Sequence, residues 1–187
     1  MNKQHTIAKV VTTSGTGLHT ANKTDIIFKP AAPDAGINFI RTDLAAKQAI
    51  KSSPENVITN MRSPRRSSIG KEDIQIHTIE HLMAALSGLG IDNLDIEINN
   101  DELPGLDGSS LNFVELLEKA GIKEQEKDRQ CLAIKEPVAI EEDDATIIAL
   151  PYDGFKISYT LDYRHPYLKT EYKSLDINPD IFKSQIA

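Results

Sequence analysis

Asp73-Ile74-Gln75-Ile76-His77-Thr78-Ile79-Glu80-His81-Leu82-Met83-Ala84-Ala85-Leu86-Ser87-Gly88-Leu89-Gly90 changes its hydrophobic period in the middle. Ile74 and Ile76 alternate with Asp73, Gln75 and His77, the period-two pattern of a half-buried strand. From Thr78 onward the apolar residues fall at Ile79, Leu82, Met83, Leu86 and Leu89, which is a helical stripe. The spacing predicts a helix from Ile79 to about Leu89, with Thr78 as its N-cap and Gly90 as its stop. A strand that passes directly into a helix fixes the class as α+β or α/β, and the neighbouring segments decide between them.

Downstream, Leu94, Ile96 and Ile98 alternate with Asp95, Glu97 and Asn99 to give a strand with one polar face. Pro104-Gly105-Leu106-Asp107-Gly108-Ser109 then turns the chain into a second helix carrying Leu111, Val114, Leu116 and Leu117 up to Gly121. Asp107 and Ser109 read as a turn and a helix cap. Upstream, Thr6 to Val11 favours a strand, Ser14-Gly15-Thr16-Gly17 a tight connection, and Ile26-Ile27-Phe28 a buried strand ended by Pro30. Gly36 to Ile40 reads as the hairpin partner of that strand, and Ser52 to Lys71 as a long loop with short strands. The charged run Lys123 to Arg129 reads as a linker, so the expected organisation is a first α+β domain over 1–126 and the beginning of a second over 127–187.

In that second part, strands are expected at Leu132 to Ile134, Val138 to Ile140, Thr146 to Leu150 and Phe155 to Asp162, with a helix from Pro179 to Gln185. Thr24 to Pro30 with Gly36 to Phe39 is loosely echoed by Thr146 to Pro151 with Gly154 to Ile157, which suggests a duplicated domain whose second copy is incomplete. The 187 residues carry 28 acidic and 21 basic side chains, a net charge of −7, which argues against an electrostatic grip on nucleic acid or on an anionic membrane. One cysteine, Cys131, excludes an intrachain disulfide and reads as a small buried hydrophobe in a cytoplasmic protein. No apolar run is long enough for stable membrane insertion.

The chemistry lies in His77-Thr78-Ile79-Glu80-His81. As a pattern this matches H-x-x-E-H, the signature of a class of zinc metallopeptidases, which needs both imidazoles on one face of a continuous helix. His77 instead closes the period-two run and precedes the expected cap, so the local sequence supports one metal-binding histidine, His81, rather than two. The first turn of a helix has unpaired N–H groups and a partial positive charge, favouring an ionised Glu80 and a neutral His81. Zinc lowers the pKa of bound water to ~7, and an adjacent carboxylate can then take its proton.

The surrounding text is more specific than that motif. Gly15-Thr16-Gly17-Leu18-His19-Thr20, Phe39-Ile40-Arg41-Thr42-Asp43-Leu44 and Thr78-Ile79-Glu80-His81-Leu82 occur in one order along the chain. Ala84 to Asn93, Glu102 to Ser109 and Asp162-Tyr163-Arg164-His165-Pro166 follow. Together these blocks resemble the zinc-dependent UDP-3-O-acyl-N-acetylglucosamine deacetylases of lipid A synthesis. The resemblance implies two similar domains, each a mostly antiparallel sheet with two helices, with the helices sandwiched between the sheets and the active site at the domain junction. It implies hydrolysis of the 2-acetamido group of UDP-3-O-acyl-N-acetylglucosamine with release of acetate, Glu80 as general base and Zn2+ held by His81. His19 falls near the family's active site as a substrate-binding residue, and Tyr163 falls where the family sets an aromatic ring against uracil. Arg62, Arg65 and Arg66 could meet phosphate, though a solvated loop is the plainer reading.

The family's later zinc ligands, a His and an Asp in an H-K-x-x-D segment, and its general-acid histidine have no counterpart in these 187 residues. The isolated chain is therefore expected to be inactive, its site completed by a missing carboxy-terminal portion. Two rival readings remain at this level: a zinc metallopeptidase using His77 and His81, and a non-catalytic domain that grips a nucleotide sugar.

Overall fold

A computed structural model describes residues 3–45, 47–59, 65–71, 73–163 and 165–187, which divide into two compact units, Met1–Arg129 and Gln130–Ile186. The chain is mixed α+β and mostly antiparallel. In the first unit the strands are β1 (Lys3–Ile7), β2 (Val11–Thr16), β3 (Lys23–Pro30), β4 (Ile37–Arg41), β5 (Ala49–Lys51), β6 (Ser68–Lys71), β7 (Ile74–His77), β8 (Leu94–Ile98) and β9 (Ile122–Asp128). The helices are α1 (Glu80–Leu89) and α2 (Leu111–Ala120).

Five of these strands form one sheet in the order β2-β3-β8-β4-β5. Alternation builds its inner face: Ile26 and Phe28 of β3, Ile37 and Phe39 of β4 and Leu94, Ile96 and Ile98 of β8 are buried, while the strand residues between them are half-buried. The helices add Leu82, Ala85, Leu86 and Leu89 from α1 and Phe113, Val114, Leu117 and Ala120 from α2. Phe28 meets Phe113 edge to face, with ring centroids 6.5 Å apart, an arrangement favoured by the ring quadrupoles. Gly90 ends α1 as expected, at φ 70° with its N–H on the carbonyls of Leu86 and Ser87.

Several expectations are corrected, beginning with the pairing of the first unit. β4 does not pair with β3. β8 lies between them, antiparallel to β3 and parallel to β4, with Phe39 opposite Ile96. Adjacent strands in sequence read naturally as a hairpin, but β8 buries its apolar face only by entering the middle of the sheet. Ser14 to Thr16 is not a turn but the end of β2, paired with β3 as far as Thr16 opposite Lys23. Finally, the charged run after Gly121 is not a linker. It forms β9, antiparallel to β1, with Ile7 opposite Ile122.

This strand carries its charges because it pairs through its backbone and meets counter-charges on both sides. Lys3 bridges Asp128 at 2.7 Å, Arg129 bridges Asp92 at 2.6 Å, and Lys127 bridges Asp34. Exposed pairs of this kind stabilise little, but charged side chains along an edge discourage stray strand pairing. The tighter tie is Asn93, 1% exposed, whose amide donates to Gln4 at 2.9 Å and to Gln125 at 2.7 Å and whose carbonyl accepts from the Gly36 N–H at 2.8 Å.

The second unit contains β10 (Val138–Glu142), β11 (Ala145–Ala149), β12 (Lys156–Leu161), β13 (Glu171–Asp176) and α3 (Pro179–Gln185). β10 pairs with β11 and β12 with β13, two separate hairpins. α3 has the expected bounds, and the Asn178 side chain accepts from the Ile181 N–H at its start. No strand forms at Leu132 to Ile134, and Cys131 is exposed rather than buried. The two echoed windows are hairpins in neither place, since β3 and β4 do not pair and β11 and β12 belong to different sheets. Ile140, Ile147, Ile148 and Tyr159 of these strands are each more than half exposed.

Replacing Phe28 by Ala should lower the unfolding free energy of the chain by about 3–5 kcal/mol, read from urea denaturation as a lower midpoint with an unchanged slope. A loss under about 1 kcal/mol, the typical effect of a substitution away from the core, would show that this face is not the structural core.

Candidate active site

The strand-to-helix junction in the quoted stretch has no connecting loop, and the backbone makes the change at one residue. His77, the last residue of β7, is held on both sides: its N–H donates to the Asp101 carbonyl at 2.8 Å and its own carbonyl accepts from the Leu103 N–H at 3.1 Å. Thr78 then adopts φ 58°, a left-handed conformation that costs a β-branched residue about 1–2 kcal/mol. The sequence pattern made Thr78 the N-cap. Instead Ile79 precedes α1 without a side-chain cap, and the Thr78 hydroxyl donates to the Glu102 carboxylate at 2.9 Å.

Glu102 has no exposed surface and takes four donors. The His19 N–H reaches Oε1 at 2.9 Å, the Thr20 N–H and hydroxyl reach Oε2 at 2.7 and 2.6 Å, and the Thr78 hydroxyl completes the set at Oε1. Burial alone would raise its pKa, but the hydrogen bonds from Thr20, His19 and Thr78 outweigh burial and hold it down at about 2, against an ordinary 4.5. The loop that supplies three of these four donors turns at Gly17, where a Cβ would lie 2.4 Å from Glu102 Oε2. A glycine is therefore required there by close approach.

α1 then displays the two residues singled out from the sequence. At ~100° per residue the buried set of Leu82, Ala85, Leu86 and Leu89 is centred about 180° from Glu80 and about 90° from His81. Both side chains are half-buried rather than sealed in the apolar interior. Glu80 Oε2 accepts from the Ser67 N–H at 3.0 Å, which orients the carboxylate at the start of the helix. His77 is 7% exposed and lies in β7, with Nδ1 2.9 Å from the Ser68 hydroxyl. Burial, with Arg66 nearby, pushes its pKa down despite Asp101 and Glu102, which favours the neutral imidazole. It does not share a helix with His81, which removes the geometry that the metallopeptidase pattern requires.

His19 is exposed on the turn between β2 and β3, closed by the Gly17 N–H on the Asn22 carbonyl at 2.9 Å. The structure brings its backbone to the same carboxylate as Thr78. Tyr163, 54% exposed, belongs to the second unit, on the segment after β12. Arg62 lies outside the described residues. Arg65 is exposed at φ 73°, and Arg66 has a buried Nε with no hydrogen-bond partner among the described residues. Asp107 accepts from the Ser109 N–H and hydroxyl, and Ser109 Oγ accepts from the Leu111 N–H, so both act locally at the entrance to α2. Arg41 spans β4 and β7, paired with Asp43 at 2.6 Å and donating to the Gln75 carbonyl at 2.9 Å.

A catalytic zinc takes three protein donors. Among the described residues no group of three or more His, Cys, Asp or Glu side chains could hold a metal, so His81 and Glu80 do not make such a site by themselves. No helix among the described residues is long and apolar enough to cross a membrane. Glu102, the acid on which these segments converge, was not among the site residues singled out from the sequence. Neither period nor turn chemistry marks it, and only its need for donors in a dry position would have pointed to the threonines.

Because the folded pKa of Glu102 is depressed, its contribution is full above about pH 4.5 and is lost as the pH falls toward 2. Urea titrations across this range should show a loss larger by roughly 3 kcal/mol than in Glu102→Gln, which starts lower and keeps only the acid dependence of the remaining carboxylates such as Asp34 and Asp43. Parallel acid profiles for the two proteins would contradict an ionised Glu102.

The family model for UDP-3-O-acyl N-acetylglycosamine deacetylase matches residues 4–187. Among curated relatives named UDP-3-O-acyl-N-acetylglucosamine deacetylase, that of Methylococcus capsulatus is 39% identical over 189 residues, covering 100% of this chain and 61% of the relative. That of Syntrophotalea carbinolica is 38% identical over 184 residues, covering 98% of this chain and 59% of the relative. For Myxococcus xanthus the figures are 35% over 184 residues, 98% and 58%. The chain thus spans about three-fifths of the length of the curated relatives it matches. It belongs to this deacetylase family.

Proposed function

We propose, from that membership, that residues 1–187 form the amino-terminal part of a deacetylase that hydrolyses the 2-acetamido group of UDP-3-O-acyl-N-acetylglucosamine in lipid A synthesis. The observation that carries this reading is the placement of Glu80 and His81, adjacent at the first turn of α1, with Glu80 opposite its buried stripe and His81 on the flank of that stripe. Water adds to the acetamido carbonyl, the C–N bond breaks, and acetate leaves a free amine. Glu80 takes the proton of the attacking water as general base, and the departing nitrogen receives its proton from the general-acid histidine of the carboxy-terminal portion. Its Oε2 is oriented by the Ser67 N–H, and Oε1 makes no hydrogen bond among the described residues.

Zinc is the cofactor the family resemblance implies, and His81 is the donor this chain offers it. The remaining donors come, in this reading, from a carboxy-terminal portion, and the partial coverage of the relatives supports it. The exposed apolar side chains of β10 to β12 support it too, since a large uncovered apolar surface marks a face that something else packs against. The proposed division into domains 1–126 and 127–187 is supported by the two compact units, whose boundary falls three residues later. His19 and Tyr163 are proposed to contact the substrate, His19 from its exposed turn and Tyr163 as a flat face for the uracil ring. A cytoplasmic location is supported by the single cysteine, which suits a reducing compartment.

The test is a chimera of this chain with the part of the Methylococcus relative beyond the matched segment, assayed for acetate release. Glu80→Gln should cut kcat by about 10²–10⁴-fold with zinc content retained, and His81→Ala should lower bound zinc by metal analysis. An active chimera indifferent to Glu80→Gln would remove Glu80 from the reaction.

A further inference from the structure

We propose that Glu102 is a positioning residue for this reaction: one buried carboxylate locks the His19 loop to the opening of α1, so that Glu80 and the loop imidazole serve the same substrate. The inference rests on the deacetylase reading and assigns a role to a residue outside the metal-binding and proton-transfer set. Its basis is geometric. Donors from two separated segments, at His19 and Thr20 and at Thr78, converge on the two carboxylate oxygens of a third, at Glu102, within 2.6 to 2.9 Å.

Glu102 is not itself a proton carrier. It has no exposed surface, and every contact it makes is with a donor, so it offers no route to substrate or water. The attachment points explain what it does instead. Thr78 lies two residues before Glu80, and its left-handed backbone sets the direction in which α1 leaves β7. His19 and Thr20 are held through their backbone N–H groups, which fixes the turn without engaging the imidazole ring. The segment carrying Glu102 is itself pinned, since His77 pairs with it in a parallel bridge and the Gly105 N–H donates to the Thr16 carbonyl at 3.0 Å. One movement of this carboxylate therefore shifts both segments together.

Glutamine at this position is a sharp probe. Each carboxylate oxygen accepts one backbone N–H, from His19 at Oε1 and from Thr20 at Oε2, so an amide NH2 in either orientation faces a donor. In the chain alone, Glu102→Gln should accelerate hydrogen exchange at the His19 and Thr20 amides by about tenfold or more, followed by NMR. In the chimera it should lower kcat on the order of a hundredfold and raise KM, since the turn carrying His19 is released, with zinc content retained; simple loss of folded protein would lower zinc content together with kcat and leave KM unchanged.

Should Glu102→Gln fail to fold, Thr20→Val removes one of the four donors and keeps both backbone bonds. It should lower kcat in the same direction by about tenfold, the weight of one buried hydrogen bond to a charged group. Unchanged exchange at His19 and Thr20 in a folded Glu102→Gln protein would overturn the proposal. So would an active wild-type chimera whose kcat survives either substitution. An inactive wild-type chimera would instead sink the deacetylase reading, and this proposal with it.

Discussion

A carboxylate with no exposed surface is expensive unless every oxygen is satisfied, and Glu102 is satisfied by donors that the chain could bring together only in this fold. The four bonds outweigh the burial and leave the group ionised far below the usual carboxylate range. Much of the irregular backbone in the first unit follows from that requirement. Gly17 is a glycine because the carboxylate approaches too closely for a side chain. Thr78 holds a strained left-handed conformation because its hydroxyl has this acceptor.

The same contact joins local structure to chemistry. β7 passes into α1 without a loop, so the direction of the helix is set at a single residue. That direction points Leu82, Ala85, Leu86 and Leu89 into the core and leaves Glu80 on the opposite side. Packing and site geometry are therefore one constraint. The stripe that buries the helix fixes where its proton acceptor stands, while the Ser67 N–H holds the carboxylate in place.

The helices and alternating strands were legible in the residues themselves. The period change at His77, the stop at Gly90, the β8 alternation and the bounds of α3 all follow from burial on one face and from turn chemistry. Pairing was less legible. β4 was read as the partner of β3 because they are neighbours in sequence, yet β8 separates them, and nothing local in β4 specifies a parallel partner. The charged β9 was read as a linker because its side chains face water, while its stability comes from backbone pairing with β1 and from Asn93, neither of which has a hydrophobic signature. At the site, Glu80 and His81 could be found as an adjacent pair at a helix start. Glu102 could not, because a buried acid is defined by partners distant in sequence.

The account stands or falls on the charge of that acid. A ¹³C NMR titration of the Glu102 side-chain carboxyl in the folded chain measures it directly. The account predicts a midpoint near 2, with the His19 and Thr20 amide resonances moving together with it. A midpoint at the ordinary value of 4.5, with those amides unmoved, would contradict a clamp built on an ionised Glu102.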